Sequence, residues 1–152
     1  MNKSVLLFAI LATLTTIVNA QLTVKDGKYY DQEDNLYTGV YVEYYESGNK
    51  KVEMNVVKGE KHGISTLYFE NQKTNEVRSY KKNEMDGTWI TYDEKGTKTA
   101  EANYKNGVKD GKWYIWDENG VLRYEMLYSD GKKIGSWKIW DESGKLVAQK
   151  DY

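Results

Sequence analysis

From about residue 22 onward the chain runs in short apolar and aromatic bursts, each closed by a polar cluster of Asp, Asn, Ser and Gly. The clearest burst, Lys112-Trp113-Tyr114-Ile115-Trp116, is rich in aromatic and β-branched residues and stops at Asp117-Glu118-Asn119-Gly120. That composition predicts a strand. An acid-first, glycine-last turn predicts a hairpin loop, because the Asp side chain satisfies turn amides and glycine accepts positive φ. The same turn recurs as Asp93-Glu94-Lys95-Gly96 and Asp141-Glu142-Ser143-Gly144. A second strand, as in Leu122 to Tyr128, leaves through Ser129-Asp130-Gly131. Each unit is therefore predicted to be one β-hairpin plus a connector. Turn signals lie about half a unit apart, too close for helices of about 10 to 12 residues. No proline interrupts the ladders.

The units are spaced regularly. Gly39, Gly63, Gly87, Gly111 and Gly135 stand 24 residues apart; Gly48, Gly96, Gly120 and Gly144 keep the same beat, with Gln72 in the vacant slot. A third series, Gly59, Gly107 and Gly131, is completed by Asn83 and Asn35, and Asn tolerates positive φ better than other side chains. Twelve of the 13 glycines are thereby placed, leaving Gly27. A fixed period of this size means that each unit buries its apolar surface only by stacking on its neighbours. The expected fold is all-β: an elongated, single-layer antiparallel meander of about five 24-residue hairpin repeats. Residues 37–152 form the repeat domain, with units starting near 39, 63, 87, 111 and 135. Residues 21–36 supply an N-terminal strand or cap, with Val24 to Tyr30 as an opening strand. The second unit departs from the pattern: Glu70 to Glu76 lacks the turn glycine, and Val77 and Arg78 reverse the polarity of Glu101 and Ala102. A wider loop or a bulge, with a slip of the alternation, is expected there.

The aromatic residues keep the same period. Tyr44, Tyr68, Tyr92, Trp116 and Trp140 share one register and form the candidate binding ladder. Trp89, Trp113 and Trp137 form a secondary register, and Tyr80, Tyr104, Tyr128 and Tyr152 a third. Both faces of a single-layer sheet meet solvent, so one aromatic face stays open to a partner. The competing role is cohesion, since cross-strand aromatic pairs contribute about 0.2 to 1 kcal/mol each. Which face carries Trp113 is left open by the loop register.

Composition narrows the function. The 152 residues carry a net charge of −1, which argues against nucleic acid or an anionic bilayer as the main partner. Met1 to Ala20 has the pattern of a secretory signal: Lys3, an apolar run from Val5 to Val18, and Val18-Asn19-Ala20 before the expected cleavage. The run is too short for a spanning helix of about 20 residues, so membrane contact would arise only through an uncleaved leader. Export without a single cysteine points to a periplasmic or extracellular location. His62, the one histidine, is expected in the loop Lys61-His62-Gly63, too isolated for zinc or nucleophilic chemistry. The carboxylates Glu46, Glu70, Glu94, Glu118 and Glu142, with Asp93, Asp117 and Asp141, repeat identically at turns about 9.6 Å apart, too far to share an ion. No catalytic residues, cofactor or metal are expected.

With Gly111 to Gly120, Glu125, Tyr128 and the Asp130-Gly131 turn, the unit resembles the variant MORN repeat of bacteria, over about Tyr37 to Tyr152. Such repeats occur in proteins labelled as toxin-antitoxin antitoxins. The resemblance implies an antiparallel sheet of hairpins used for binding, with no catalytic residues. The expected function is an exported, non-enzymatic module for protein-protein interaction, as an immunity, antitoxin-like or envelope-assembly factor. The alternative is a carbohydrate or cell-envelope binding module whose aromatic ladder stacks an envelope glycan. Gly111 to Gly120 also resembles the repeats of cell-wall-binding proteins, although these lack the long charged second strand seen at Lys98 to Lys105.

Overall fold

The computed structural model describes residues 22–152; the expected leader over residues 1–20 lies outside the described residues. A short hairpin, β1 (Thr23–Lys25) with β2 (Lys28–Tyr30), forms its own two-stranded sheet. A larger sheet opens with β3 (Gly39–Tyr44), β4 (Lys50–Val57), β5 (Glu60–Tyr68) and β6 (Thr74–Lys81). It continues through β7 (Glu84–Met85), β8 (Gly87–Tyr92), β9 (Lys98–Lys105) and β10 (Val108–Lys109). It ends with β11 (Gly111–Trp116), β12 (Leu122–Ser129), β13 (Lys132–Trp140) and β14 (Leu146–Asp151). The long strands lie side by side in chain order, antiparallel throughout, and the sheet does not close. Ten of them at about 4.8 Å per step give a width of about 43 Å. The expected all-β, single-layer meander is the observed fold.

Two turns alternate along the chain. The connector turns are Lys58-Gly59, Lys82-Asn83, Asn106-Gly107 and Asp130-Gly131, with both residues at positive φ in each. This mirror-image turn matches the right-handed twist of the strands it joins. The second residue of each donates its amide to a carbonyl 22 residues earlier, in the preceding unit: Gly59 to Tyr37 at 2.8 Å, Asn83 to Lys61 at 3.0 Å, Gly107 to Met85 at 2.9 Å and Gly131 to Lys109 at 2.8 Å. The third glycine series therefore bonds unit to unit. In the other turn a single Asp carboxylate collects two amides, as Asp93 does from Lys95 at 2.9 Å and Thr97 at 2.8 Å.

Several expectations need correction. Val24 to Tyr30 is a hairpin, not one opening strand, because Asp26 (φ 50°) and Gly27 (φ 72°) make the same two-residue turn; this accounts for the unplaced glycine. Asp31 starts a further Asp turn, and its positive φ falls on Asp34 rather than on Asn35. His62 lies exposed within β5, not in a loop. The second unit has no widened loop: Phe69 bonds Lys73 at 2.8 Å and Gln72 bonds Phe69 at 2.9 Å, as Asp93 bonds Thr97 and Gly96 bonds Asp93. Gln72 simply takes φ 66°. Its bulge, between Leu67 and Tyr68, is the one found at the same place in each of the five repeat hairpins. Nor does the alternation slip. Arg78 sits over the Trp89 ring at 5.1 Å with its Nε on Glu76 at 2.6 Å, so a flat guanidinium fills the position held by Ala102 and Met126.

The core is thin. Among the described residues the buried hydrophobic side chains are Met54, Val56, Tyr80 and Tyr128, joined by Ser65. One layer buries little, so cohesion must come from contacts along the sheet.

Candidate interaction faces

Strand alternation sends the two tryptophan registers to opposite faces. On β11, Trp113 pairs with Met126 and Ile115 with Tyr124, whereas Tyr114 points the other way and its ring meets Trp116 at 5.5 Å. The odd spacing from Trp113 to Trp116 is enough for this; the extra residue of the bulge beside Trp116 is Arg123, on β12.

The Trp113 face carries a continuous stack of rings. Tyr80, Trp89, Tyr104, Trp113, Tyr128, Trp137 and Tyr152 follow one another at centroid distances of 5.5, 5.2, 5.2, 5.4, 5.2 and 4.9 Å. Their planes are tilted by 52° to 61°, the edge-on geometry that ring quadrupoles favour. The indole N–H groups of Trp89, Trp113 and Trp137 donate to the carbonyls of Ser79, Asn103 and Leu127 at 3.0, 3.0 and 3.1 Å. Burial pushes the Tyr104 hydroxyl pKa above its usual range. Two registers that looked separate in the sequence thus interleave into one spine across the strands.

The candidate ladder lies on the opposite face. Tyr44, Tyr68, Tyr92, Trp116 and Trp140 are half-buried, and each stands at the bulge of its hairpin. Their rings do not stack on one another. The register between them holds Lys50, Thr74, Lys98, Leu122 and Leu146. Lys98 lies over Trp116 at 4.4 Å while bonded to Glu101 at 2.7 Å, and Lys50 lies over Tyr68 at 5.7 Å. A sugar seated on Trp116 would have to displace the Lys98 ammonium.

The spine face changes character along its length. At its N-terminal end the β1–β2 hairpin packs down, with Tyr29 against Tyr41 at 6.3 Å, and Val24 and Tyr29 share a cleft of about 340 Å³ with Met54, Arg78 and Tyr80. The carboxylates there are paired internally, Glu43 with Lys51 at 2.7 Å and Glu76 with Arg78, while Lys61 lies over the Tyr80 ring at 5.2 Å. The C-terminal end is an open groove of about 560 Å³ lined by Ile115, Tyr124, Met126, Trp137, Ile139 and Ala148, with Lys150 and Tyr152 at its rim. Ile115, Tyr124, Ile139 and Tyr152 are 36% to 47% exposed, well above the norm for such side chains in a core. Sequence reasoning missed this groove. Its signal was present: Ile115 and Ile139 stand where earlier units have Glu43, Leu67 and Thr91, and Tyr124 stands where they have Val52, Glu76 and Ala100.

The acidic residues work on the turns. The amide of Thr97 holds the Asp93 carboxyl below the usual carboxylate range, and the Ser143 hydroxyl and the Lys145 amide do the same for Asp141. Glu46, Glu70, Glu94, Glu118 and Glu142 are exposed in the same turns. Among the described residues no three His, Asp or Glu side chains gather as a metal site.

Residues 37–58, 85–106, 109–130 and 133–152, more than half of the chain, match a family described as MORN repeat variant. The matched segments are the first, third, fourth and fifth units. The second, with Gln72 for glycine and Ser65 for a ring, is not among them. No curated protein matches the chain.

Proposed function

We propose that this chain, which belongs to the MORN repeat variant family, is an exported interaction module that takes a protein partner on one face of its sheet. MORN repeats are non-enzymatic modules for contact with proteins and membranes. The observation that carries the protein reading is the C-terminal groove. Its apolar side chains stand open to water, while the opposite end of the same face is covered by the chain's own hairpin. A contiguous apolar concavity rimmed by polar groups is the form that a protein-binding patch takes. Export rests on Lys3, the Val5 to Val18 run and Val18-Asn19-Ala20. An immunity or antitoxin-like role and an envelope-assembly role share this mechanism and differ in the partner.

The test compares three full-length proteins in the cells that make them: wild type, Ile115→Glu/Ile139→Glu in the groove, and Trp116→Ala/Trp140→Ala on the ladder. Crosslinking should recover a protein with wild type and the ladder variant, and lose it with the groove variant. Saturable binding of envelope glycans, lost in the ladder variant, would overturn this reading in favour of a glycan module. Fractionation should place the wild type outside the cytosol; retention there would refute export.

A further inference from the structure

We propose that the segment of the partner seated in the groove is acidic as well as apolar, an inference that rests on the groove taking a protein. The lysines beside the groove supply the reason. Lys109 lies 4.2 Å from the Trp113 ring centre and 4.9 Å from that of Tyr128. Lys133 lies 4.5 Å from Trp137 and 5.0 Å from Tyr152, and Lys150 lies 4.9 Å from Tyr152. Two ammonium groups therefore share the Tyr152 ring. Among the described residues none of these three lysines has a carboxylate within 4.0 Å.

Of the six other cations that rest on rings among the described residues, five have a carboxylate partner; Lys61, 5.2 Å from the Tyr80 ring centre at the covered end of the face, has none within 4.0 Å. Arg78 on the same face pairs with Glu76 and Lys51 with Glu43; on the ladder face Lys98 pairs with Glu101 and Lys50 with Glu53. Three of the four cations left to ring faces alone thus stand at the end of the face where the apolar groove lies open, and Lys150 and Tyr152 belong to its lining. Ring faces attract a cation but do not neutralise it, so like charges around Tyr152 stay uncompensated. A carboxylate of the partner placed between Lys133 and Lys150 would answer both, and another about one unit away, roughly 9.6 Å, would answer Lys109. Apolar side chains between those acids would fill the space bounded by Ile115, Tyr124 and Ile139. With a net charge of −1 the whole chain does not draw anions, so the attraction is local and salt-sensitive.

The test uses the full chain and fluorescent peptides that intersperse Glu with Leu and Phe, read by anisotropy. The acidic peptide should bind at least about tenfold more tightly than the same peptide with Gln for Glu, and the advantage should shrink from about 50 to about 300 mM salt. Lys133→Gln/Lys150→Gln should abolish that advantage, whereas Lys98→Gln on the other face should leave it intact. Equal binding of the Gln peptide, or an advantage indifferent to Lys133 and Lys150, overturns the inference. Tighter lysine-dependent binding of polyphosphate or of phosphatidylglycerol vesicles overturns it in favour of another polyanion. Failure of every peptide while Ile115→Glu/Ile139→Glu still loses a crosslinked protein overturns the acidic chemistry and leaves the groove standing.

Discussion

Trp113→Ala should cost far more stability than Trp116→Ala, three residues away on the same strand. Trp113 meets Tyr104 at 5.2 Å and Tyr128 at 5.4 Å, and each such ring pair contributes about 0.5 to 1.5 kcal/mol beyond the area it buries. Its indole N–H bonds the Asn103 carbonyl at 3.0 Å, a net contribution of about 0.5 to 1.5 kcal/mol. With the apolar area removed from contact, the deletion should cost about 3 to 4 kcal/mol. Trp116 has one ring neighbour, Tyr114, so its loss should cost about 1 to 2 kcal/mol. Trp113→Phe separates the terms. It keeps a ring between the two tyrosines, and the Asn103 carbonyl still accepts the Asp110 amide at 3.0 Å, so no acceptor is orphaned. That variant should lose about 1 to 2 kcal/mol. Urea unfolding followed by circular dichroism gives the differences, with constant slopes required because repeat arrays can melt in parts. Equal costs for Trp113→Ala and Trp116→Ala, or a Phe variant as weak as the Ala variant, would refute the spine as the source of cohesion.

Gln72→Gly should stabilise the protein by about 1 kcal/mol in the same assay, because Gln72 sits at φ 66° in a slot where other units have glycine; an unchanged midpoint would show the strain to be relieved elsewhere. Gly87→Ala should cost more than Gly63→Ala: an added Cβ at Gly87 (φ +100°) meets the Ser79 Oγ at 2.8 Å, while nothing lies within 4 Å at Gly63 (φ +78°). The Asp turns also set an acid limit. The folded pKa values of Asp93 and Asp141 are lowered, so their contribution is complete above the unfolded carboxylate value of about 3.9 and is lost as pH falls through the folded values. Urea midpoints should therefore fall below about pH 4, and less steeply in Asp93→Ala/Asp141→Ala; identical pH profiles for variant and wild type would remove the turns as the cause.

Much of the fold was legible because backbone demands write themselves into residue type. The second residue of each two-residue connector, at positive φ, is glycine or Asn, so Gly59, Asn83, Gly107 and Gly131 reveal it directly. Pairing across the sheet was harder to read. Trp113 and Tyr128 belong to different registers, and only the observed pairing of β11 with β12 brings their rings together. The face of Trp116 follows from its odd spacing from Trp113, because the extra residue of the nearby bulge, Arg123, lies on β12 and leaves the alternation of β11 unbroken. Gln72 and Arg78 looked like signs of a distorted unit because their types are wrong for the register. The backbone there keeps its course, with the turn strained and the guanidinium laid flat on a ring. The groove escaped notice for a different reason: the eye follows what repeats, and the groove is made of what does not.

That distinction bears on where a partner can be chosen. A side chain that recurs in its register, such as the turn Asp of the last three units or the rings of the spine from Tyr80 onward, offers the same surface repeatedly and holds the array together. A partner that must sit at one place needs positions at which the units differ. On the spine face these are the registers of Glu43, Leu67, Thr91, Ile115 and Ile139, and of Val52, Glu76, Ala100, Tyr124 and Ala148. The charged members, Glu43 and Glu76, fall in the first two units beside Val52 and Leu67, the small Thr91 and Ala100 in the third, and the last two hold Ile115, Ile139 and Tyr124 with Ala148. Among the described residues of this face, lysines resting on rings without a carboxylate number one at the covered end, Lys61, and three at the open end, Lys109, Lys133 and Lys150. The gradient makes the last two units the part of the face with apolar area to bury and charge to neutralise, and association there gains on both counts. The five ladder rings are equally spaced, and two of them, Tyr68 and Trp116, lie under lysines that a flat ligand would have to displace.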